Sequence, residues 1–516
     1  MAIDALESFI DNLKQLPSLF RASLIRHDKP TSDRSKSQTV FSNIFLHIHS
    51  TRVHRYTLKP TFTFGLGIMA ASSFIILCVT GVILMVYYKP SVELAYDSIK
   101  DIQFVVPGGK FMRNLHRLAT NIMIITVMMH MARVFYTAAY KGERAFNWVI
   151  GVGLYIVTIL LSFTGYLLPW DQLAYWAVTI GANIAASPRE VTDALGITSL
   201  FDVGGLTREM ILGSSSIGQE ALTRFYFIHI MVLPILLILL LSPHLWRVRK
   251  DGGLAKPDNI TVQDLINTPE DPDSGKVFTN AAPEKTYNLM CVVKGTSPAV
   301  GKGPENTVSS WPHLFTIEVG IFIFTLAVCC LYALFVDAPL KEMANPMVPE
   351  NPAKAPWYFL GVQELVSYSA FMGGVGIPTI VLIGLGLIPY LDREKQELGR
   401  WFDNAQGLLV AKKSAIFSAV TCTGILIFLV AFGWLRNWFP HIPQLIIIAI
   451  NPGTVILTAV IVWSIHIMKT YQSTRMAAIS LFTCFLVFFL ILTYFSIYHR
   501  GPNWAFYWWP SMWPIH

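Results

Sequence analysis

The chain has 516 residues, of which 53% are hydrophobic and 14% charged, whereas a soluble domain usually carries about 25% charged residues. This composition excludes an ordinary soluble protein and indicates an integral membrane protein. The net charge of +7 does not indicate a nucleic-acid partner, because the positive residues collect on one predicted side of the membrane.

The apolar segments predict the fold class. A helix needs about 20 residues to cross the hydrocarbon core of a bilayer, and the backbone in lipid must satisfy its own hydrogen bonds. We therefore predict an all-α, polytopic transmembrane helix bundle with about nine spans. They lie near residues 64–88, 115–139, 147–168, 226–247, 313–336, 375–391, 413–435, 445–468 and 476–498.

Residues 1–60 are expected to form a cytoplasmic segment. Leu6, Phe9, Ile10 and Leu13 fall at helical spacing, which predicts an amphipathic helix on the membrane surface, with a mobile tail as the alternative. Most of the 39 Lys and Arg residues occur in the loops on the same predicted side as this segment. The positive-inside rule then places the N-terminus in the cytoplasm and the C-terminus outside. We call the two faces inner and outer accordingly.

Four histidines define the predicted functional core. His116 and His130 are 14 residues apart in the second predicted span, and His229 and His244 are 15 apart in the fourth. At about 1.5 Å and 100° per residue, each pair projects from nearly one helix face at depths roughly 21 Å apart. Four neutral imidazoles without an acid between them fit iron ligation better than a proton relay. We therefore predict a four-helix core that clamps two haems.

Two glycine pairs repeat the histidine spacing in the neighbouring spans. Gly67 and Gly81 lie in the first predicted span, and Gly151 and Gly165 lie in the third. Glycine costs about 1 kcal/mol relative to alanine inside a helix, so these positions predict a group that approaches the backbone closely. Helix–helix packing is the alternative explanation for each pair taken alone.

Three arginines lie near the histidines in sequence. Arg117 and Arg133 each lie within three residues of a predicted ligand, and Arg224 precedes His229 by five residues. Guanidinium groups pair well with the propionates of haem. Arg224 could equally be an interfacial anchor.

These features resemble cytochrome b, the haem-carrying subunit of quinol-oxidising cytochrome bc and bf complexes. The resemblance is carried by the histidine and glycine spacings, by GYLLPWDQLAYWA (165–177) and by TRFYFIH (223–229). It covers residues 60 to 440 approximately. The 15-residue histidine spacing and LPWDQLAYWAV are more similar to the bf branch, where a second polypeptide supplies the later helices. Residues 313–435 resemble that polypeptide (subunit IV) joined to the first.

The resemblance implies the cofactors and their order. His116 and His229 would bind the low-potential haem near the outer face, and His130 and His244 the high-potential haem near the inner face. The bf branch has a cysteine for an extra, covalently bound haem where this chain has Gly65. We therefore predict two non-covalent b-type haems, and no third.

The outer quinol-oxidation site departs from the family pattern. The segment APWYF (355–359) resembles the motif P-[ED]-W-Y, whose acid accepts a proton from quinol, but Ala355 and Pro356 stand before Trp357 and neither is acidic. Glu364 is the predicted substitute base, with a structural role for it as the alternative. Asp171 and Glu350 are the next candidates. The predicted site comprises Asp171, Tyr175, Pro356, Trp357, Tyr358 and Glu364.

The implied function is a Q cycle. Quinol oxidised at the outer site passes one electron to a Rieske-type iron–sulfur protein and one through the two haems to quinone near the inner face. The resemblance also implies a c-type cytochrome subunit, the quinone pool and membrane lipids as partners, a homodimeric complex, and a bacterial cytoplasmic membrane. Menaquinone is favoured over ubiquinone. Polar residues near the inner face are Arg52, His54, Lys59 and Asp251, each with an ordinary surface role as the alternative.

The predicted domain order follows from these segments. After residues 1–60 come the dihaem domain (61–248), a polar cytoplasmic linker (249–312), a C-terminal cytochrome b domain (313–440), and two additional helices with an aromatic tail (441–516). Two other functions stay open. One is a dihaem membrane anchor for a peripheral dehydrogenase, and the other is a transporter that uses its histidines as proton carriers.

Overall fold

The computed structural model describes residues 14–15, 17–18, 29–31, 33–43, 46–251, 253–270, 306–394 and 398–514. The amphipathic helix predicted from Leu6 to Leu13 and most of the predicted linker lie outside these ranges.

Nine helices within the described residues are long and apolar enough to cross a membrane, which confirms the predicted fold class. We number them spans 1 to 9 in chain order: Leu66–Tyr87, Gly109–Tyr136, Gly142–Tyr166, Gln219–Lys250, Ser310–Phe335, Met372–Leu391, Ala405–Trp438, Pro452–Tyr471 and Thr474–Tyr498.

Five predicted span starts, those of spans 2, 3, 4, 7 and 8, differ from the observed ones by more than a helical turn, and the last two have a clear local cause. Span 7 begins at Ala405 rather than 413, because the side chain of Asn404 accepts hydrogen bonds from the backbone N–H groups of residues 406 and 407 and starts the helix there. Span 8 begins at Pro452 rather than 445. Asn451 caps it, and the apolar residues before it form a separate short helix, Gln444–Ala449.

Shorter helices and one strand pair connect the spans. The strands Arg52–His54 and Thr307–Ser309 pair antiparallel, with Arg52 opposite Ser309. This ladder joins the segment before span 1 to the segment before span 5. The connecting α-helices are Asp33–Ser42, Pro60–Thr63, Ala95–Phe104, Gln172–Ala186, Arg189–Ala194, Val203–Leu212, Trp357–Tyr368 and Gln444–Ala449. We call Trp357–Tyr368 the outer helix.

Spans 1 to 4 share a buried apolar cluster. Phe74 of span 1, Met123 of span 2, Val157 of span 3 and Leu233 and Leu237 of span 4 pack against one another. In sequence, Met123 lies midway between His116 and His130, and Leu237 lies near the midpoint between His229 and His244. The cluster therefore forms an apolar layer inside the four-helix core, where close van der Waals packing stabilises the helix contacts, because transfer from lipid gives no hydrophobic gain.

Span 9 is the most buried of the nine spans, with half of its most apolar window inside the protein. Small residues allow span 7 to approach it closely: Ser414 Oγ donates to Ser480 Oγ at 2.9 Å, and Ser418 Oγ donates to the carbonyl of Cys484 at 2.8 Å. Small side chains and interhelical hydrogen bonds are typical of helix packing in membranes.

The inner end of span 9 is fixed by a fully buried arginine. Arg475 donates to Tyr140 Oη at 2.8 Å and to the carbonyl of Phe135 at 3.0 Å. Tyr140 in turn donates to Asp392, which also accepts from Lys141 Nζ at 2.7 Å. The additional C-terminal helices are therefore bonded to the end of span 2 and to the segment after span 6.

Candidate functional site

The four predicted histidines meet in two pairs, one at each level of the bundle. The ring centres of His116 and His229 lie 6.4 Å apart, and those of His130 and His244 lie 6.5 Å apart. A metal ion that binds one nitrogen of each ring at about 2 Å needs ring centres roughly 6 Å apart. Each pair therefore has the spacing of two axial ligands on one metal, and the two levels are about 21 Å apart along span 2.

The donor set also fits haem better than a bare metal ion. Within the described part of the chain, no group of three or more His, Cys, Asp or Glu side chains is placed to hold a metal. A metal held by two histidines needs its remaining ligands from a cofactor, and a porphyrin supplies four nitrogens in a plane.

Each histidine ring lies against one of the four predicted glycines, so the groups that approach these glycines are the imidazoles themselves. The distances from an ideal Cβ built on the glycine to Cε1 of the facing ring are 2.5 Å for Gly165 and His229, 3.3 Å for Gly67 and His130, 3.4 Å for Gly81 and His116, and 3.7 Å for Gly151 and His244. Spans 1 and 3 therefore provide the space in which the rings of spans 2 and 4 lie.

Two threonines orient the outer histidine pair. Thr80 Oγ1 lies 2.8 Å from Nδ1 of His116, and Thr164 Oγ1 lies 3.1 Å from Nδ1 of His229. Each threonine hydroxyl donates to a carbonyl one turn earlier, so it accepts from Nδ1–H and leaves Nε2 free for a metal. The sequence analysis did not include these residues, although each directly precedes a predicted glycine.

His229 lies in a π-helical turn, Ile228–Val232, within span 4. Such turns are rare and frequently occur at functional sites. Pro234, which lacks a backbone N–H, follows this turn, and it is the sequence signal that could have indicated it.

The three predicted arginines have different surroundings. Arg133 is buried beside the inner pair, where Nε donates to the carbonyl of Phe62 and Nη2 has no hydrogen-bond partner among the described residues. That orphaned donor fits a propionate. Arg117 lies over the ring of Tyr166, 5.6 Å from its centre. Arg224 is exposed and donates to the carbonyl of Met210, the contact expected of an interfacial anchor.

A cavity of about 1710 Å³ opens beside the inner pair. Its lining includes His130, His244, Gly67, Gly151 and Arg133. Ligand pockets usually enclose about 300–1,000 Å³, so this cavity has room for a macrocycle and a second ligand.

Polar residues predicted near the inner face also line this cavity. Asp251 is buried rather than at the surface, being 7% exposed, and its Oδ2 has no hydrogen-bond partner within the described ranges. Burial raises the pKa of this carboxyl. His54 accepts a hydrogen bond from Tyr56 N–H, and burial together with the nearby Lys256 and Arg55 lowers its pKa to about 4. His54 is therefore neutral at neutral pH.

The outer helix carries the WY motif to the outer histidine level. Trp357 Nε1 donates to Asn121 Oδ1 of span 2 at 3.2 Å, and Phe359 packs edge-on against Phe163 of span 3 at 5.9 Å. Tyr358 is buried, which raises the pKa of its phenol. Pro356 occupies the N-cap position of this helix without a capping hydrogen bond. The motif therefore contacts the two spans that contain His116 and Gly165.

Asp171 and Tyr175 belong to the segment that follows span 3. Both oxygens of the buried Asp171 are occupied: Oδ1 accepts from Ala174 N–H and Oδ2 from Lys341 N–H, each at 2.9 Å. Burial raises the pKa of this carboxyl, and the two hydrogen bonds act against the shift. Tyr175 packs edge-on against Trp170 at 6.1 Å. Asp171 thus joins its helix to the loop before the outer helix.

Glu364, the predicted base, is fully buried and surrounded by donors. Arg500 binds it at 2.5 Å through Nη2 and at 3.1 Å through Nε. Tyr368 Oη, Ser496 Oγ and Trp504 Nε1 donate to the same carboxylate. These donors occupy both carboxylate oxygens, so a quinol hydroxyl would have to displace one of them to bind there. The role of Glu364 as proton acceptor stays a prediction. Among the other candidates, Glu350 is partly exposed and pairs with Lys341 at 3.2 Å.

Gly65, the position of the cysteine in the bf branch, faces span 5. An ideal Cβ at Gly65 would lie 2.6 Å from Cδ1 of Ile321. The side chain of Ile321 therefore fills the space next to this position.

These features define the class of protein as an all-helical, multi-pass membrane protein with paired intramembrane histidines. Comparison with known proteins identifies the family. A family model described as cytochrome b/b6/petB matches residues 54–252. Cytochrome b6 of Heliobacterium mobile is 40% identical over 187 residues, which are 36% of this chain and 82% of that protein. Cytochrome b6 of Prochlorothrix hollandica is 37% identical over 187 residues, 36% of this chain and 79% of that protein.

The chain therefore belongs to the cytochrome b/b6 family, and it is a b-type haem protein of a membrane oxidoreductase complex. A solved structure described as a hyperthermophilic respiratory Complex III has the same fold beyond the matched region. The superposition includes 84% of this chain and 91% of that chain, with a TM-score of 0.54 and 24% sequence identity.

Proposed function

We propose that this chain is the dihaem cytochrome b of a quinol-oxidising bc-type complex that runs a Q cycle. The observation that carries the proposal is the pair of facing histidines at each of two levels, with ring centres 6.4 and 6.5 Å apart. Haem bound at each level supplies one-electron transfer. Two such centres at different depths allow electrons to cross the bilayer.

The residues that would hold the two haems divide by level. His116 and His229, oriented by Thr80 and Thr164, would hold the outer haem. At the inner level His130 and His244 would hold the haem. The free Nη2 of the buried Arg133 supports a propionate partner there.

Quinol would be oxidised beside the outer helix, between Tyr358 and the helix that begins after Asp171. The contact of Trp357 with Asn121 supports this placement, because it brings the motif to the span that contains His116. A Rieske-type iron–sulfur protein would accept one electron, and the outer haem level the other. Glu350 is a carboxylate near this site whose only ion pair among the described residues is with Lys341. It competes with Glu364 for the role of proton acceptor.

Quinone would be reduced in the inner cavity. The size of this cavity and its polar lining beside His130 and His244 support that assignment. Menaquinone is the favoured quinone. The assembled complex would be a homodimer in a bacterial cytoplasmic membrane, with a c-type cytochrome subunit and with the N-terminus inside and the C-terminus outside.

The second half of the chain would correspond to subunit IV of the bf branch, fused through the linker (249–312). The strand pair between residues 52–54 and 307–309 supports this reading, since it joins the beginnings of the two halves. Glycine at position 65, which has no thiol to form a thioether, supports two non-covalent haems without a covalently bound third. A mass of the denatured chain that includes haem would contradict that part of the proposal.

The competing functions make different predictions. A transporter that uses histidines as proton carriers would have no b-type absorption band, and membership of the cytochrome b family disfavours it. A dihaem anchor would have the band but would copurify with a dehydrogenase and reduce no Rieske protein. Purification of the complex from membranes, followed by a search for a bound Rieske subunit and by a quinol oxidation assay, separates the anchor from the proposed complex.

A further inference from the structure

A histidine and a glutamate meet at the inner ends of spans 1 and 5, away from the four paired histidines. Nε2 of His49, in the segment before span 1, lies 2.9 Å from Oε1 of Glu318 in span 5. Both side chains line the inner cavity, and both keep partial contact with solvent, at 19% and 23% exposure. The pair thus connects the cavity to water on the inner side.

Glu318 is unusual among the acids of the nine described spans. It is the ninth residue of span 5 and lies in the first turn of the α-helix Phe315–Phe335, after the π-helical turn Ser310–Leu314, whereas Glu143 and Glu220 are each the second residue of their spans. An ionisable residue inside a span is costly and usually marks a path for protons, ions or substrate. A histidine partner makes a proton path the best fit, because imidazole changes charge near neutral pH.

The second ring nitrogen of His49 is available to bind a ligand. Its Nδ1 is buried and has no hydrogen-bond partner among the described residues, while Nε2 is bound to Glu318. The backbone directly after His49 is joined to the start of span 5, since Ser310 N–H donates to the carbonyl of Thr51 at 3.0 Å and the strands 52–54 and 307–309 pair directly beyond. A buried, unsatisfied ring nitrogen in a cavity wall is suited to a ligand oxygen.

We propose that His49 and Glu318 form the proton-transfer pair that serves quinone reduction in the inner cavity, an inference that rests on the proposed function. Each quinone takes two electrons, one at a time from the inner haem, and two protons to become quinol. When His49 is protonated, Nε2–H donates to the Glu318 carboxylate and Nδ1–H donates to a quinone oxygen. The Nδ1–H bond breaks as the O–H bond forms, and water on the inner side returns a proton to the pair before the second transfer.

The side chains that line the cavity carry more positive than negative groups. Six cations line the cavity, against three acids other than Glu318, and Glu318 is the acid that contacts the His49 ring. The cations are Arg52, Lys59, Arg133, Arg144, Arg249 and Lys256. The acids are Glu143, Asp251 and Asp258, and the remaining titratable groups are His54, Tyr140 and the paired His130 and His244.

The test compares Glu318→Gln and His49→Gln with a matched control, Glu220→Gln, which removes an exposed acid at the outer end of span 4. The complex is purified with its haems, and a menaquinol analogue is the substrate. Haem reduction by quinol is followed separately from haem reoxidation by quinone, between about pH 6 and 9. Both Gln variants are expected to reduce their haems at the wild-type rate and to reoxidise the inner haem roughly tenfold more slowly or worse, with a larger defect at higher pH.

Two further readouts separate proton transfer from a structural role. The midpoint potential of the inner haem is expected to lose pH dependence in both Gln variants and to keep it in the control. Glu318→Asp, which retains a carboxylate, is expected to recover part of the reoxidation rate. Wild-type reoxidation in both Gln variants, or equal slowing in the Asp and Gln variants, overturns this inference. A wild-type complex whose haems quinol does not reduce overturns the proposed function instead.

Discussion

Replacement of Gly165 with Ala tests how closely span 3 approaches the outer histidine pair. The new Cβ would lie 2.5 Å from Cε1 and 3.0 Å from Nε2 of His229. Because non-bonded carbon atoms prefer about 3.5–4.0 Å, the ring has to move by roughly 1 Å. This displacement disturbs the 3.1 Å hydrogen bond to Thr164 and shifts the nitrogen that would bind the metal.

The magnitude follows from three contributions. Overpacking costs about 1–3 kcal/mol, and loss of the hydrogen bond costs about 1 kcal/mol. Removal of a glycine from a helix returns about 0.5–1 kcal/mol. The net loss of roughly 1–3 kcal/mol corresponds to a fall in affinity for the outer haem of about 5-fold to 150-fold.

The assay is the haem content per polypeptide, together with a reduced-minus-oxidised spectrum of the purified protein. We expect Gly165→Ala to lose haem selectively from the outer level, so that one midpoint potential disappears or shifts. The control is Gly151→Ala, whose Cβ would lie 3.7 Å from His244 in ordinary contact, and it should keep both haems. If Gly165→Ala retains both haems with unchanged potentials, the reasoning from this contact is refuted.

Three further predictions concern the surroundings of the sites. Thr164→Val removes the hydroxyl that accepts from Nδ1–H of His229. It should raise the midpoint potential of the outer haem and weaken haem binding about 10- to 100-fold. The control Thr164→Ser keeps the hydroxyl and should behave like the wild type in a redox titration. Glu364→Gln removes the charge that the partly buried Arg500 pairs with and should cost about 3–5 kcal/mol in an unfolding measurement, although Arg500 keeps its bond to the carbonyl of Trp504. A double Gln variant of this pair should recover part of that stability, and normal quinol oxidation by the double variant would remove Glu364 from proton transfer. His54 is neutral in the folded protein because its pKa is lowered to about 4, so its contribution to stability is present above pH 6.5 and is lost as the pH falls toward 4. Unfolding temperatures measured across this range should fall less steeply in His54→Gln, and parallel curves would contradict the assignment.

The sequence predicted the spans and the histidine pairs because both depend on local spacing. Apolar length determines a span, and a separation of 14 or 15 residues determines which histidines share a helix face. The pairing of His116 with His229 and of His130 with His244 needed one further assumption, that spans 2 and 4 present these faces to each other. The structure meets that assumption at both levels.

The partners of Glu364 and Glu318 could not be predicted in the same way. Arg500 is 136 residues from Glu364, and His49 is 269 residues from Glu318. Such contacts depend on how spans 5 and 9 pack against the four-helix core, which helical periodicity does not specify. For that reason Glu364 was predicted as a free base, while the structure places it opposite Arg500.

The roles of Thr80 and Thr164 could be predicted only in part from the sequence. Each directly precedes a predicted glycine, so the sequence places both threonines at the histidine levels. However, a threonine hydroxyl in an apolar helix more often bonds to the backbone of its own helix. Both do so here. Only the approach of the histidine rings shows that the same hydroxyls also accept from imidazole.

A redox titration of the purified complex, followed at the absorption band of b-type haem, tests the central claim most directly. Two haems at separate levels, with different hydrogen-bond partners and charges, predict two separated midpoints of equal amplitude. Substitution of His229 should abolish one of them and substitution of His244 the other. A single midpoint, or the loss of both on substitution of either histidine, would contradict the two-level arrangement.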